Sequence, residues 1–295
     1  MTAPLHNINM DCFGDSSSDE EEDVLRRDES CGVCSFHSNT EASLLTSVRN
    51  TPNLHGANDV LQAIDAFCMS RHWMMHVGPD KGLLLKRILH DAMNEKASAA
   101  VNNTNNNTPF VAVELGSYCG YSSILLANEF RHGSTSLHCH WYTAEIERSY
   151  AAIAKEVIQI SGMDDVVSVH QITYDGHETN VVEVIGDALK SEDRAETKPM
   201  IDFLFIDHDK DAYKSDLCKF ESSGLICKGT KVVADNVIFA HIQDYIDYVQ
   251  ERQKKGVVQT KTIPCHVEYC GVNSDETDGK QYQDGIEVTD YLRDP

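Results

Sequence analysis

The stretch Val111-Ala112-Val113-Glu114-Leu115-Gly116-Ser117-Tyr118-Cys119-Gly120-Tyr121-Ser122-Ser123, running on into Ile124-Leu125-Leu126-Ala127, decides the fold. A short apolar run, a glycine turn and then a helical pattern make the first βα unit of a doubly wound α/β domain. The run lacks inside-out alternation, as a parallel strand covered on both faces should. Gly116 and Gly120 let the backbone turn tightly and approach a ligand where a Cβ would clash. Their spacing matches neither the dinucleotide pattern Gly-x-Gly-x-x-Gly nor a phosphate loop, which needs a Gly-Lys pair. Glu114, just before the turn, would repel a pyrophosphate and suits a cationic ligand.

Working outward, the pattern recurs. Apolar runs end in acids at Val111-Ala112-Val113-Glu114, Trp141-Tyr142-Thr143-Ala144-Glu145, Asp202-Phe203-Leu204-Phe205-Ile206-Asp207 and Lys231-Val232-Val233-Ala234-Asp235-Asn236. Helical segments such as Tyr150 to Ser161 and Tyr213 to Ser222 separate them. The expected fold is therefore α/β, a doubly wound and mostly parallel sheet whose strand ends share one edge, where ligands bind. Two further strands, Thr262 to Tyr269 and Gly285 to Tyr291, would add an antiparallel edge, with the polar stretch Gly271 to Asp284 as their loop.

The strand ends carry the chemistry. Glu145 can accept bonds from the two hydroxyls of a ribose. Asp207, Asp235 and Asn236 offer hard oxygen ligands suited to Mg²⁺, with waters or substrate oxygens completing an octahedron. Either aspartate alone fits equally well as a strand-end acid paired with a lysine. Adjacent polar groups at Asp235 and Asn236, directly after a buried run, favour ligation because they need a partner. Lys210 follows Asp207 by three residues; a lysine beside a dication is more easily held neutral and can act as a general base.

Composition limits the alternatives. The 295 residues suffice for one sizeable core plus tails, and 41% hydrophobic content is ordinary for a globular chain. A formal net charge of −22 argues against a nucleic-acid partner, which needs a basic footprint. No apolar window is long enough for a membrane span and no signal-like N-terminus is evident. The ten cysteines are scattered through core-like segments, as in a reduced, cytoplasmic protein. Residues 1–53 read as an acidic, disordered tail centred on Asp15 to Asp23, and residues 54–295 as the folded domain. Within the tail, Cys31-Gly32-Val33-Cys34 and His37 lack the fourth ligand of a structural zinc. His138-Cys139-His140 reads as a strand end, and Asn102 to Thr108 as a polar surface insertion. Asn58 to Phe67 and Leu83 to His90 carry helical periodicity. The Trp, Met, Gly and Pro residues between them suggest a loop that could cover a flat ligand.

In order along the chain, these residues resemble the catechol O-methyltransferase family. The matching segments are Trp73-x-Met75-x-Val77-Gly78-x-x-Lys81-Gly82, Glu114-Leu115-Gly116-x-Tyr118-Cys119-Gly120-Tyr121-Ser122 and Glu145 with Tyr150-Ala151-Ala152-Ile153. They continue through Asp207-His208-x-Lys210-Asp211, Ala234-Asp235-Asn236-Val237-Ile238, Glu268-Tyr269 and Asp284-Gly285-x-Glu287. The resemblance covers Gly56 to the C-terminus and implies a class I, S-adenosylmethionine-dependent fold. It also implies roles. Val77, Glu114, Gly116, Tyr118, Ser122, Glu145, Ile146, Asp207 and His208 would hold the cofactor. Asp207, Asp235 and Asn236 would bind Mg²⁺. Lys210 would be the catalytic base, while Trp73, Met75, Lys210, Asn236 and Glu268 would meet a small phenolic substrate.

Four positions depart from the family pattern. Asp209 stands where the family has a pocket tryptophan, Ala240 where it has a proline, His76 for an asparagine and Ile146 for an adenine-contacting methionine. Gln171 to Glu178 does not match the family's adenine turn, so no role is assigned there. Asp-x-Asp-Lys-Asp-x-Tyr also resembles the caffeoyl-coenzyme A O-methyltransferases, a metal-dependent sister group. A non-catalytic cofactor-binding relative is the reading that Asp209 and Ala240 favour, and intact Lys210, Asp207, Asp235 and Asn236 oppose.

Overall fold

The computed structural model describes residues 39–70, 74–101, 109–132, 137–191, 200–269 and 282–295. The acidic block, the Cys31/Cys34/His37 group, Trp73, the Asn102–Thr108 insertion and most of the Gly271–Asp284 stretch lie outside them. The elements in order are α1 (Thr40–Asn50), α2 (Ala57–Ser70), α3 (Gly78–Val101), β1 (Phe110–Leu115), α4 (Tyr121–Ala127), α5 (Glu129–His132) and β2 (Cys139–Glu145). Then come α6 (Arg148–Ile160), β3 (Val167–Gln171), α7 (Val181–Ser191), β4 (Phe203–Ile206), a 3₁₀ turn at Lys210–Ala212, and α8 (Tyr213–Ser223). The chain ends through β5 (Lys231–Ala234), α9 (Gln243–Lys254), β6 (Val258–His266) and β7 (Gln283–Tyr291).

One seven-stranded sheet runs β3-β2-β1-β4-β5-β7-β6. The first five strands in that order are parallel, and β7 pairs antiparallel with both β5 and β6. β1, β4 and β5 are buried along their whole length, which is why they read as continuous apolar runs. Side chains alternate across β1: Phe110 and Ala112 join the core beneath α1 to α4 and α6, while Val111, Val113 and Leu115 join the one beneath α7 to α9. Strand order reverses between β1 and β4, so a crevice opens at their C-terminal ends.

The structure corrects several boundaries. Leu44, Leu45 and Val48 of α1 are buried in the core, so the fold starts ahead of residue 54 and takes in part of the stretch assigned to the tail. Gly78 to Gly82 opens α3 and is not a loop; Pro79 sits in a first turn, where its missing N–H leaves no bond unmade. β3 went unread because its Val-Ser-Val-His-Gln sequence is short and only Val167 is buried. β6 begins four residues before the expected Thr262, since an edge strand alternates with solvent and carries Gln259 and Lys261. Glu268 and Tyr269 lie beyond its end, and Asp284 belongs to β7. Among the described residues no helix is long and apolar enough to cross a membrane.

Candidate active site

The glycine loop after β1 is tight. The Gly116 N–H donates to the Ala144 carbonyl (2.9 Å) and the Gly120 N–H to the Ser117 carbonyl (2.7 Å). Gly116 has φ +93°, and a Cβ there would collide with the backbone of Asp207 and His208. That glycine therefore sets the distance between the cofactor loop and the β4 end. Tyr118 is left-handed too (φ 45°), and its N–H donates to Glu145 Oε2 (2.8 Å). The other Glu145 oxygen accepts the Glu147 N–H (2.9 Å), so the carboxylate stands fixed at the end of β2.

Around that carboxylate lies a cleft of about 300 Å³, lined by Gly116, Glu145, Ile146, Ile172, Tyr174 and His208 among others. Ile146 is 47% exposed, poised at the rim as an apolar face. Ile172, Tyr174, His177 and Glu178 come from the Gln171–Glu178 segment, to which sequence reasoning assigns no role. The signal there was weak, because only Ile172 and Tyr174 carry large apolar groups.

Glu114 does not line this cleft. It is fully buried under the loop, accepting from Ser123 Oγ and from Trp141 Nε1 (3.0 Å). Burial raises its carboxyl above the usual range, against the pull of the bonds from Ser123 and Trp141. Its Oε1, the Ser117 Oγ and His208 Nδ1 are buried without a hydrogen-bond partner. Such orphaned atoms beside a glycine loop fit a bound ligand with matching donors and acceptors. Ser117 was not singled out from sequence. Val77 and Ser122 are buried near the same loop, and His208 Nε2 lies 2.9 Å from Asp216 Oδ2.

The acids at the other strand ends do converge. The Asp207 N–H continues the sheet to the Leu115 carbonyl (2.9 Å), and the Asp235 N–H to the Ile206 carbonyl (3.0 Å). Lys210 Nζ donates to Asp207 Oδ1 and to the Tyr213 hydroxyl, both at 2.8 Å. The Tyr213 hydroxyl in turn donates to the Asp235 carbonyl (3.3 Å), tying the two strand ends together. Burial pushes the Asp207 carboxyl up to about 7, with Lys210 pulling against it and Asp235 adding to the rise. Asp235 is 2% exposed and binds the ammonium of Lys81 through both oxygens (2.8 and 3.0 Å). Both aspartates are thus paired with lysines, and both also sit where ligation was expected.

Asn236 is left-handed (φ 57°) and its Nδ2 donates to Asp284 Oδ2 (2.8 Å). That bond commits the amide nitrogen and leaves the oxygen as the atom to face a cation. Glu268 Oε1 accepts the Lys81 N–H (2.7 Å), so this carboxylate caps the start of α3; burial raises it. A Cβ on Gly78 would strike its side chain. Met75 is 48% exposed, whereas Trp73 lies outside the described residues. Among the described residues no three His, Cys, Asp or Glu side chains are grouped to hold a metal. Asp207, Asp235 and Asn236 supply two carboxylates and one amide, a set that fits a hard dication only with outside oxygens completing it.

A protein-family model described as O-methyltransferase matches residues 72–259. This chain belongs to the O-methyltransferase family. It is 30% identical to catechol O-methyltransferase B of Danio rerio over 249 residues, covering 84% of this chain and 78% of that protein. It is 31% identical to catechol O-methyltransferase of Bos taurus over 65% of this chain and 59% of that protein. Among solved structures, an O-methyltransferase of Streptomyces achromogenes shares the fold with a TM-score of 0.54 at 19% identity, covering 83% of this chain and 95% of that one. The family assignment fits the sheet order, the glycine loop after β1 and the acidic strand ends. It makes the chain a transferase acting on oxygen.

Proposed function

We propose that this O-methyltransferase moves the methyl group of S-adenosylmethionine to one hydroxyl of a catechol-type diol held on Mg²⁺. The observation carrying this reading is the contact of two half-sites. Gly116 of the cofactor loop lies against the backbone of Asp207, whose carboxylate bonds Lys210 and feels the charge of Asp235, which in turn accepts the Asn236 N–H. The buried unpartnered atoms of Ser117 and His208 suit the cofactor's polar groups, and Glu145 suits its ribose, while Glu114, buried beneath the loop, braces it from behind. O-methyltransferases of the same fold solved in complex with SAM and with SAH support that choice.

Asp207, Asp235 and Asn236 would hold the metal, which when bound acts as a Lewis acid on adjacent substrate oxygens. A simple phenol has a pKa of about 10, so forming its anion at pH 7 costs roughly 4 kcal/mol. Lys210 receives that proton in our reading, and the Tyr213 hydroxyl and Asp207 hold its amine in place. Val77, Tyr118, Ser122 and Glu145 orient the donor, and Met75 and Glu268 border the acceptor. Fixed orientation supplies much of the remaining rate, with no covalent enzyme intermediate.

The caffeoyl-coenzyme A reading is disfavoured by charge. Asp209 is exposed at the cleft and the chain carries a net charge of −22, so a polyphosphate acceptor would be repelled. The free thiols Cys68, Cys119 and Cys139, all buried, suit a reducing, cytoplasmic setting. Methyl transfer from labelled S-adenosylmethionine to catechol, a monophenol and caffeoyl-coenzyme A, with and without EDTA, tests the proposal. Catechol labelling that requires Mg²⁺ is expected; labelling of the thioester alone, or of no acceptor, overturns it.

A further inference from the structure

The metal-site reading leaves one buried charge without a role. Lys81 lies in the first turn of α3 and is 4% exposed. Its ammonium bonds both oxygens of Asp235 (2.8 and 3.0 Å) and Asp284 Oδ2 (2.8 Å). Asp284 is 1% exposed and gathers further donors: Asn236 Nδ2 (2.8 Å) on one oxygen, and the N–H groups of Phe239 (3.1 Å) and Gly285 (2.7 Å) on the other. The Lys81 N–H holds Glu268 (2.7 Å). A single residue of α3 therefore touches Asp235 and Glu268 directly and reaches Asn236 through Asp284.

We propose that Lys81 is the built-in counter-ion of the metal site, a positioning residue that keeps the ligands assembled without metal and keeps the bound dication exchangeable. This rests on the reading of Asp207, Asp235 and Asn236 as metal ligands. Two carboxylates as buried as Asp235 and Asp284 need a cation, because a buried unpaired charge is strongly destabilising. Lys81 supplies it permanently. Lys210 differs: its side chain is 18% exposed on a short turn, and its ammonium bonds one carboxylate oxygen, of Asp207, and the Tyr213 hydroxyl. Without Lys81 the dication would be the only positive charge available to Asp235 and Asp284. The metal would then become part of the fold and would bind more tightly, since a unit positive charge in contact with its ligand no longer opposes it. Lys81 also sets the charge of the loaded site. The three aspartates face two ammoniums, so a dication leaves one positive charge, matched to an acceptor carrying one negative charge.

The test uses the full chain, Mn²⁺ as the probe, and the EPR signal of free Mn²⁺ to measure binding. Binding of S-adenosylhomocysteine in EDTA reports the cofactor half separately. Lys81→Met is expected to bind Mn²⁺ at least about tenfold more tightly than the parent. It should also melt lower in EDTA and recover its midpoint when Mn²⁺ is added. Equal or weaker Mn²⁺ binding by a Lys81→Met protein that still binds S-adenosylhomocysteine overturns the proposal. Should that variant not be recoverable, Asp284→Asn decides. Removing that carboxylate leaves the ammonium to Asp235 alone, so Mn²⁺ binding should weaken at least about tenfold, and unchanged binding refutes the idea. A parent protein that binds no Mn²⁺ sinks the metal reading itself; a parent that binds with neither variant shifting sinks only the role of Lys81.

Discussion

Acid should attack this protein first at His76. Its ring is buried, stacked on Tyr121 (centroids 5.2 Å, 26°) and tilted against Tyr118 (5.3 Å, 45°), and its Nε2 has no hydrogen-bond partner. Burial lowers its pKa from 6.5 to about 3. The folded state thus binds fewer protons at this site than the unfolded state between those values, so stability rises with pH through that window. Above pH 6.5 the group costs nothing; below it, each unit of pH removes about 1.36 kcal/mol until the folded pKa is reached. At pH 5 the loss is about 2 kcal/mol, which in a domain of this size lowers the melting midpoint by roughly 4–8 °C. The assay is urea unfolding of the parent and of His76→Asn at pH 8 and pH 5. Other groups titrate in both proteins, so the comparison isolates residue 76. The parent should lose about 2 kcal/mol more than the variant between the two pH values. Parallel losses would refute the claim that His76 is held neutral by burial. Because His76 packs on the two tyrosines of the cofactor loop, weaker S-adenosylhomocysteine binding at pH 5 should be relieved by the same substitution.

Other outcomes test the chemistry. Lys210→Ala should keep S-adenosylhomocysteine affinity within about threefold while kcat falls about a thousandfold, the scale of general-base catalysis; near-parental turnover removes Lys210 from that role. EDTA should abolish methyl transfer and added Mg²⁺ restore it, as followed with labelled donor. Gly116→Ala should destabilise by at least about 2 kcal/mol in urea, since its φ of +93° is costly for alanine and the new methyl meets the Asp207 backbone. Asp209→Trp should lower the KM for catechol about fivefold, the equivalent of about 1 kcal/mol of aromatic contact; an unchanged KM means residue 209 does not face the acceptor.

Legibility followed burial. β1, β4 and β5 are wholly buried and β2 nearly so, and all four could be read directly as apolar runs. β3 could not, because every residue after Val167 is at least partly exposed on a five-residue edge strand. The acids at strand ends were legible for the same reason the strands were: a carboxylate following a buried run marks where the sheet stops. What residues 81 and 284 do was not. Lys81 meets Asp235 and Asp284 across 154 and 203 positions of chain, and no local pattern encodes such a pairing. Asp284 looked like a loop residue among Asp and Gly neighbours, yet the register of β7 against β6 buries it opposite Cys265. Glu114 was read as a ligand for a cation because it precedes the glycine turn; strand alternation instead sends it inward, toward Ser123 and Trp141.

Topology explains why the two half-sites touch at all. β1 and β4 are adjacent and parallel, but α4 after β1 packs on one face of the sheet and α8 after β4 on the other. The loops leaving these strands diverge, so the space between them is open to ligands while their first residues remain at hydrogen-bonding distance. Gly116 is the point of contact, and the Asp207 backbone fills the space a side chain would need. Any substitution that widens this contact should damage donor binding and ligand geometry together, whereas one at Lys81 or Asp284 should disturb only the acceptor side. That difference in pattern separates a methyl-transfer site from a nucleotide pocket that merely has acids nearby.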